Sequence, residues 1–164
     1  MPRKKPFRVG RSRTGLGLFA TAPIEKRAFI VEYKGRKLTT EQADKVEARG
    51  NRYLYEINSR WTIDGTTRKN LGRYANHSCR PNAESHLLGH KMFLRAIKAI
   101  KPGDEITWNY GRDYYLNVIT RRGCKCDKCR GKRAEARATA RARARRGQAR
   151  KAKARAAKRR RRRS

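Results

Sequence analysis

The sequence predicts a mainly β domain with a few short helices, followed by a disordered basic C-terminal tail. Short runs rich in β-branched and aromatic residues alternate with Gly, Pro, Asn and Ser, which is typical of strands separated by turns. Only two helical patterns interrupt these runs, and strands and helices do not alternate regularly, so an α/β fold is not expected. Residues 14–131 form a stretch of about 118 residues, the size of a single domain.

Six strands and two helices are predicted in chain order. The strand-like runs are Gly17–Ala20, Ala28–Tyr33, Tyr53–Ile57, Trp61–Asp64, Lys91–Arg95 and Glu105–Trp108. Thr39 and Gln42 have the spacing of a capping box, and Gly50 is placed to end the helix that follows. A second helix is predicted from about Arg112 to Arg122, ending at Gly123.

Positive charge is concentrated at the ends of the chain. Its 46 Lys and Arg residues exceed its 13 Asp and Glu residues, for a net charge of +33. Residues 132–164 contain 17 Lys and Arg, 11 Ala and the single acid Glu135, a net +16, which leaves +17 on residues 1–131. Such an excess indicates a polyanionic partner, and nucleic acid is the first to consider.

The two basic ends are predicted to lie outside the folded domain. Residues 1–13 form a basic N-terminal arm, which is interpreted as an extended segment. In the tail, residues 132–164, like charges at i,i+4 oppose helix formation, so we expect disorder that becomes helical on a polyanion. Without interleaved aromatic residues the tail would contact DNA phosphates without sequence specificity. The alternatives are a solubilising tail or a localisation signal.

The cysteines indicate a metal site. No apolar run of bilayer length and no signal peptide are present in the sequence, so the protein is expected to be intracellular and not to bind a membrane. Disulfides are then not expected. Cys124, Cys126 and Cys129 supply three soft ligands, and Cys79 is the only other cysteine. If Cys79 folds against the cluster, the four thiolates form a closed structural Zn²⁺ site; the alternative is four unrelated reduced thiols.

Two further motifs are candidates for a functional site. Residues 15–20 match the GxGxxG/A pattern, but no strand precedes them and Pro23 follows closely, so a dinucleotide loop is rejected and a flexible turn remains. Residues 76–82, Asn-His-Ser-Cys-Arg-Pro-Asn, are polar or turn-forming. In isolation they could form a polar loop, or His77 and Cys79 could be metal ligands or a nucleophile–base pair.

Together these motifs resemble the SET domain with its post-SET cysteine cluster. The resemblance rests on the GxG sequence, Glu32-Tyr33-Lys34-Gly35, Tyr53-Leu54-Tyr55, the motif of residues 76–82, Glu105-Ile106-Thr107-Trp108-Asn109-Tyr110-Gly111 and the CxCxxC cluster, in that order. It implies a β-clip of small sheets around a pseudoknot, in which the segment ending at Tyr110 passes under a loop near Asn76. It divides the chain into the arm (1–13), a SET domain (14–122), a post-SET zinc-binding segment (123–131) and the tail (132–164).

The resemblance implies a protein-lysine methyltransferase that uses S-adenosylmethionine. Tyr110 matches the active-site tyrosine, and Tyr33 and Trp108 match the walls of the lysine channel. The positions that match cofactor-binding positions are Gly15, Leu16, Gly17, Tyr53, Asn76 and His77. Those that match ligands of the structural zinc are Cys79, Cys124, Cys126 and Cys129. Trp108 stands where relatives usually have Phe or Tyr, which predicts that fewer methyl groups are added.

Two functions follow from these observations. The first is methylation of lysines in a histone-like or other basic chromatin or nucleoid protein, by a monomer that its tail tethers to DNA. The second is a nucleic-acid-binding protein on a SET scaffold with weak or no catalysis. The expected location is the nucleoid-associated cytoplasm of a bacterium or the nucleus and chromosomes of a eukaryote. A body of charge +17 repels basic substrates unless acids such as Glu32, Glu56 and Asp64 lie near the channel, or DNA screens the charge.

Overall fold

Three small antiparallel or mixed sheets make up the body of the protein. The computed structural model describes residues 5–161, with side-chain surroundings for residues 5–151. The chain forms two units divided after Cys126. The strands are β1 (Phe7–Ser12), β2 (Gly15–Ala20), β3 (Phe29–Tyr33), β4 (Arg36–Thr39), β5 (Leu54–Glu56), β6 (Trp61–Asp64), β7 (Asn76–His77), β8 (Ala83–Leu88), β9 (Lys91–Ala96) and β10 (Glu105–Trp108). They form sheets of order β1-β2-β10-β7, β3-β9-β8 and β4-β6-β5.

The predicted strands are confirmed to within two residues at their ends, and four further strands are present. The strand β1 falls in the predicted N-terminal arm, where Phe7 pairs with Ala20 and is buried with 8% of its surface exposed. The prediction of a separate arm is therefore wrong for residues 7–12, because their pairing with β2 outweighs their basic composition. Residues 1–4 lie outside the described residues.

The core forms where the sheets meet. Its largest fully buried side chains are Leu18, Leu38, Met92, Leu94, Ile100, Ile106 and Asn70. Along β9, Met92, Leu94 and Ala96 face inward while Phe93 and Arg95 are half-buried, which is the alternation expected of a strand covered on one face. Burial of each large apolar side chain contributes about 1.5–3 kcal/mol.

Strand β10 lies between two distant parts of the chain. It pairs antiparallel with β2 and parallel with β7. The Asn82 side chain extends this ladder: its Nδ2 donates to the Glu105 carbonyl at 2.8 Å, and its Oδ1 accepts from the Thr107 N–H at 2.8 Å. The segment that ends at Tyr110 is thus held against the segment that starts at Asn76, as the resemblance implies.

Both predicted helices of the body are present. Helix α1 (Thr40–Ala48) has the complete capping box between Thr39 and Gln42, and Gly50 follows with φ of +90°. The second helical segment consists of α2 (Arg112–Tyr114), a π-helical turn (Tyr115–Ile119) and α3 (Thr120–Arg122), and Gly123 with φ of +72° ends it. A π-helical turn is often found next to a functional site.

The second unit contains one long helix. Helix α4 (Asp127–Arg161) includes most of the predicted disordered tail. The prediction of disorder is therefore wrong for residues 132–161, because the helix propensity of alternating Ala and Arg outweighs the repulsion between like charges. Residues 130–151 are exposed. The predicted boundary at residue 131 falls inside α4, and residues 162–164 lie outside the described residues.

No helix within residues 5–161 has both the length and the apolar composition needed to cross a membrane.

Candidate active site and cysteine cluster

A cavity of about 940 Å³ lies between the three sheets of the body. Seven of its nineteen lining residues are aromatic. Its lining comprises Thr14, Leu16, Tyr33, Arg52, Tyr53, Leu54, Tyr55, Glu56, Arg68, Arg73, Tyr74, Ala75, Asn76, Ser85, Trp108, Asn109, Tyr110, Gly111 and Tyr114. The cavity therefore brings together Tyr110, both predicted channel residues and three of the six predicted cofactor residues.

Asn76 joins the glycine-rich strand to β10 at one wall of the cavity. Its Nδ2 is 3.0 Å from the Leu16 carbonyl and 2.7 Å from Glu105 Oε1. The Ser12 hydroxyl donates to the same Glu105 oxygen at 2.8 Å. These contacts fix the backbone of β2 where it reaches the cavity.

Gly17 is required by this network. A Cβ at this position would lie 2.6 Å from Glu105 Oε1 and 2.8 Å from Ser12 Cβ, closer than real side chains approach. Gly15 has a φ of +119°, a conformation that other residues rarely adopt, and open space around it. The GxG sequence thus allows tight packing at Gly17 and an unusual backbone at Gly15. Neither glycine lines the cavity directly.

Trp108 and Tyr110 share one acceptor at the cavity wall. The Trp108 indole N–H donates to the Ala75 carbonyl at 3.1 Å, and the Tyr110 hydroxyl donates to the same oxygen at 2.8 Å. The centroids of the two rings are 5.0 Å apart. The Ala75 carbonyl accepts one hydrogen bond on each of its two lone pairs. This shared acceptor fixes the orientation of both side chains.

A second set of contacts holds Tyr33 and Tyr53, which also line the cavity. The Tyr33 hydroxyl donates to the Tyr53 carbonyl at 3.0 Å, and the Tyr33 ring packs so closely on Gly65 that a Cβ there would lie 2.3 Å from it. The Arg73 guanidinium stacks over the Tyr53 ring at 3.9 Å and donates to the Thr66 carbonyl. Tyr53 is therefore fixed at its backbone by Tyr33 and at its ring by Arg73.

The buried tyrosines are hydrogen-bond donors and not bases. Burial raises the pKa of Tyr110 and of Tyr33 well above the usual value for tyrosine, and it also raises the pKa of Tyr114. Ionisation of a phenol in this cavity would place a negative charge where water is largely excluded. The hydroxyl groups consequently stay protonated throughout the physiological pH range.

His77 connects the cavity wall to the cysteines. It does not line the cavity, and its assignment as a cofactor-binding residue stays a prediction. Its Nδ1 accepts the Tyr110 N–H at 3.3 Å, and its Nε2 lies 3.4 Å from Cys79 Sγ. Burial lowers the pKa of His77, which favours the neutral ring that these two contacts require.

The cysteines of the body converge as predicted. The Sγ atoms of Cys79 and Cys124 are 3.8 Å apart, and the Cys79 N–H donates to Cys126 Sγ at 3.5 Å. A tetrahedral zinc with Zn–S bonds of ~2.3 Å separates its sulfur atoms by ~3.8 Å, so the observed spacing fits this ion. Cys129 follows three residues after Cys126, at the start of α4, and completes a set of four cysteines that can hold a metal ion.

Several residues of this site belong to no recognisable sequence motif. Tyr114 packs on Tyr110 with ring centroids 5.2 Å apart, and Arg73 covers Tyr53. Glu105 begins a predicted strand, but its role in the Asn76 network depends on pairing between distant segments. The one available signal was the position of Arg73, which directly precedes the Tyr74-Ala75-Asn76 sequence.

Comparison with known proteins identifies the family. Residues 15–111 match the SET domain model. The chain is 40% identical to histone-lysine N-methyltransferase set-2 of Caenorhabditis elegans over 145 residues, which cover 79% of this chain and 9% of the relative. It is 32% identical to the H3 lysine-4 specific histone-lysine N-methyltransferase of Emericella nidulans over 142 residues, covering 79% of this chain and 12% of the relative.

Solved structures agree with this assignment. The structure of ctPRC2 in an autoinhibited conformation bound to S-adenosylmethionine matches 65% of this chain and 15% of its own, with a TM-score of 0.59 and 30% identity. A humanized mutant of Chaetomium thermophilum Polycomb Repressive Complex 2 bound to the inhibitor GSK126 matches 65% of this chain and 15% of its own, with a TM-score of 0.59 and 31% identity.

The fold and the cavity define a small β domain of the kind that these relatives share. The chain belongs to the SET domain family, and the predicted SET fold is confirmed. It spans only about a tenth of the length of these two curated relatives. A cluster of cysteines follows the domain, as in the post-SET arrangement that the sequence predicts.

Proposed function

We propose that this protein transfers a methyl group from S-adenosylmethionine to a lysine side chain of a basic, histone-like protein. The observation that carries the proposal is that Tyr110, Trp108 and the Leu16–Asn76 contact all lie on one cavity of about 940 Å³. That volume is within the ~300–1,000 Å³ typical of sites for small molecules. The cofactor would supply an activated methyl group on a sulfonium sulfur, and no metal is needed for that chemistry.

We assign the cofactor to the wall formed by β2 and β7. Leu16 and Asn76 line the cavity there, while Gly15 and Gly17 shape the backbone behind them. Tyr53 also lines the cavity, and Arg73 fixes its ring. In this proposal His77 acts indirectly, by holding the Tyr110 backbone.

We assign the lysine to the aromatic walls. Tyr33 and Trp108 are only 6% and 8% exposed, so an alkyl chain between them is shielded from water. An aromatic, water-poor channel lowers the pKa of the lysine ammonium and favours the neutral amine that attacks the methyl group. The Tyr110 hydrogen is given to the Ala75 carbonyl, which leaves the oxygen lone pairs to accept an N–H from the amine and orient it.

The high pKa of Tyr110 predicts how the rate of methyl transfer depends on pH. A change in rate could come from ionisation of Tyr110 or from ionisation of the substrate lysine. Because burial raises this pKa, the hydroxyl does not ionise as the pH increases through 8 and 9. The rate should therefore rise with pH as the substrate lysine loses its proton, without an inflection from Tyr110.

A groove beside the cavity supports a basic substrate. Four carboxylates, Asp44, Glu47, Glu56 and Asp113, line a space of about 330 Å³ that shares Leu54, Glu56 and Tyr114 with the main cavity. None of the four lies within 4 Å of a basic group among the described residues, although the body is rich in Lys and Arg. Of the three acids expected near the channel, Glu56 lines this groove and Glu32 and Asp64 do not. Glu32 instead pairs with Lys34, and Asp64 accepts a hydrogen bond from the Asn51 side chain.

Neutralising this groove should weaken substrate binding. In the double variant Asp44→Asn/Glu47→Gln we expect KM for an Arg- and Lys-rich peptide to rise about tenfold at low salt, with kcat nearly unchanged. The matched control Glu25→Gln/Glu41→Gln makes the same change in net charge, and Glu41 lies on the same helix. Equal KM values for the two double variants would contradict this function of the groove. Steady-state kinetics at two salt concentrations measure the effect.

We propose that the four cysteines bind one structural zinc ion. Cys79→Ser should lower the zinc content from about one per chain to near zero and destabilise the fold by of order 3 kcal/mol, because metal binding contributes directly to folding. Arg80→Ser changes an exposed neighbour and should retain zinc. Elemental analysis and thermal unfolding measure both quantities. A wild-type protein that is fully folded without metal would rule out this site.

We further propose that the basic tail tethers the enzyme, as a monomer, to chromosomal DNA near its substrate. The exposed basic residues of α4 support this contact, and they also support the second candidate function, a DNA-binding SET protein without catalysis. Methyl transfer from labelled cofactor to purified histones and basic DNA-binding proteins distinguishes the two. DNA binding without cofactor turnover would favour the second function.

A further inference from the structure

We infer that helix α4 binds duplex DNA as a preformed helix lying in the major groove. This inference extends the DNA contact proposed above and is independent of methyl transfer. Residues 130–151 of α4 are exposed, and Asp127 and Glu135 are the only acids of α4 in its described part. A helix with so little apolar surface gains nothing from packing on a protein core.

One row of arginines turns by about 40° per step around the helix and so occupies a sector of about 120°. Arg133, Arg137, Arg141 and Arg145 are spaced at i,i+4, so successive residues lie on neighbouring positions of the same side, about 6 Å apart along the axis. Two phosphate steps of one DNA strand advance ~6.8 Å along the duplex axis, so this spacing suits successive backbone contacts.

A second group of arginines lies on the other side of the helix. With 100° between successive residues, Arg143, Arg146 and Arg150 are turned roughly 180° from the middle of the first row. The arginines therefore form two flanks. A basic helix that contacted the phosphates of only one DNA strand would need arginines on only one of its sides.

Small residues separate the two flanks. Ala136, Ala140 and Gly147 lie between the two groups of arginines on the same helix. Their lack of bulk allows the helix backbone to approach a surface closely while arginines reach outward on both sides. The major groove of B-form DNA, ~12 Å wide and ~8.5 Å deep, accepts an α-helix and has phosphates along both edges.

The same features disfavour other polyanions. The major groove of A-form RNA is deep and narrow, so a helix cannot enter it. Single-stranded DNA presents one flexible backbone, which a disordered basic chain can follow as well as a helix. The helix should therefore prefer duplex DNA, and phosphates between i,i+4 arginines should relieve the repulsion that opposes helix formation.

Proline substitution tests the inference without changing the charge. In the double variant Ala136→Pro/Ala144→Pro the helix is interrupted while the net charge stays at +33. We expect its affinity for a 20-base-pair DNA duplex to fall roughly tenfold, since the two flanks can no longer contact both edges together. Gly147→Ala, which favours the helix, should bind as well as wild type or more tightly. Fluorescence anisotropy at physiological salt measures the affinities.

Two further measurements locate the helix. Single-stranded DNA of the same length should bind the proline variant and wild type equally, and duplex RNA should bind wild type more weakly than duplex DNA does. Guanine N7 lies in the major groove, so wild type should protect it from dimethyl sulfate whereas the proline variant should not. If both proteins bind duplex DNA within twofold of each other, or if N7 stays unprotected, groove binding is ruled out. If wild type binds no DNA, the proposed tether is also wrong, and methyl transfer is unaffected by that result.

Discussion

Replacing Tyr110 by phenylalanine is expected to lower kcat for methyl transfer by about 100-fold or more, because the amine loses the oxygen that orients it. The change removes one hydroxyl and retains the ring that packs on Trp108 and Tyr114. The Ala75 carbonyl keeps its hydrogen bond from the Trp108 indole. Loss of the tyrosine hydrogen bond should therefore cost only about 1 kcal/mol of stability.

Cofactor affinity serves as the internal control for this variant. The Tyr110 hydroxyl bonds to Ala75 and is not part of the Leu16–Asn76 contact, so Tyr110→Phe should bind S-adenosylmethionine within about twofold of wild type. Calorimetry gives the affinity, and single-turnover kinetics give the rate. An unchanged turnover would show that the role assigned to Tyr110 is wrong.

Replacing Asn76 by aspartate should have the largest effect on cofactor binding. The Asn76 amide nitrogen lies 2.7 Å from Glu105 Oε1, so the substitution places two carboxylates in contact. We expect a roughly 100-fold loss of S-adenosylmethionine affinity at neutral pH, because the repulsion moves β7 away from β2 and releases the Leu16 carbonyl.

This variant should also acquire a pH dependence of known sign. At acidic pH one of the two carboxyl groups is protonated and can donate to the other, which partly restores the contact. As the pH rises the shared proton is lost, so cofactor affinity and thermal stability should both fall.

Asn58→Asp is the matched control for this substitution. The Asn58 oxygen already accepts from the Arg60 and Trp61 N–H groups, so aspartate fits there. Equal pH profiles for the two variants would contradict the Asn76–Glu105 contact.

Local sequence patterns predicted those parts of the fold that local interactions determine. The capping box at Thr39 and the glycines at 50 and 123 set the helix ends correctly. The strand β1 was missed because its basic residues are typical of a flexible arm, and only its pairing with β2 makes it a strand. The two-residue strand β7 was missed because its length gives no alternation to detect.

The same distinction applies to the candidate site. The residues predicted from motifs were those with a characteristic local sequence, and most of them are found at the cavity or in the cysteine cluster. The Ala75 carbonyl, Glu105 and Arg73 could not be predicted, since each contributes through a contact with a residue distant in sequence. A backbone carbonyl has no side-chain signature, so Ala75 in particular is visible only in three dimensions.

The contacts of the segment from Ala75 to Cys79 fix the number of residues that this segment can have. Ala75 holds the Tyr110 and Trp108 side chains, Asn76 holds β2, His77 holds the Tyr110 backbone, and Cys79 reaches the other thiols. Neighbouring strand residues point to opposite faces, so inserting or deleting one residue here would exchange these contacts between the two faces. The segment can accept some substitutions of side chains, but it cannot accept a change in its number of residues.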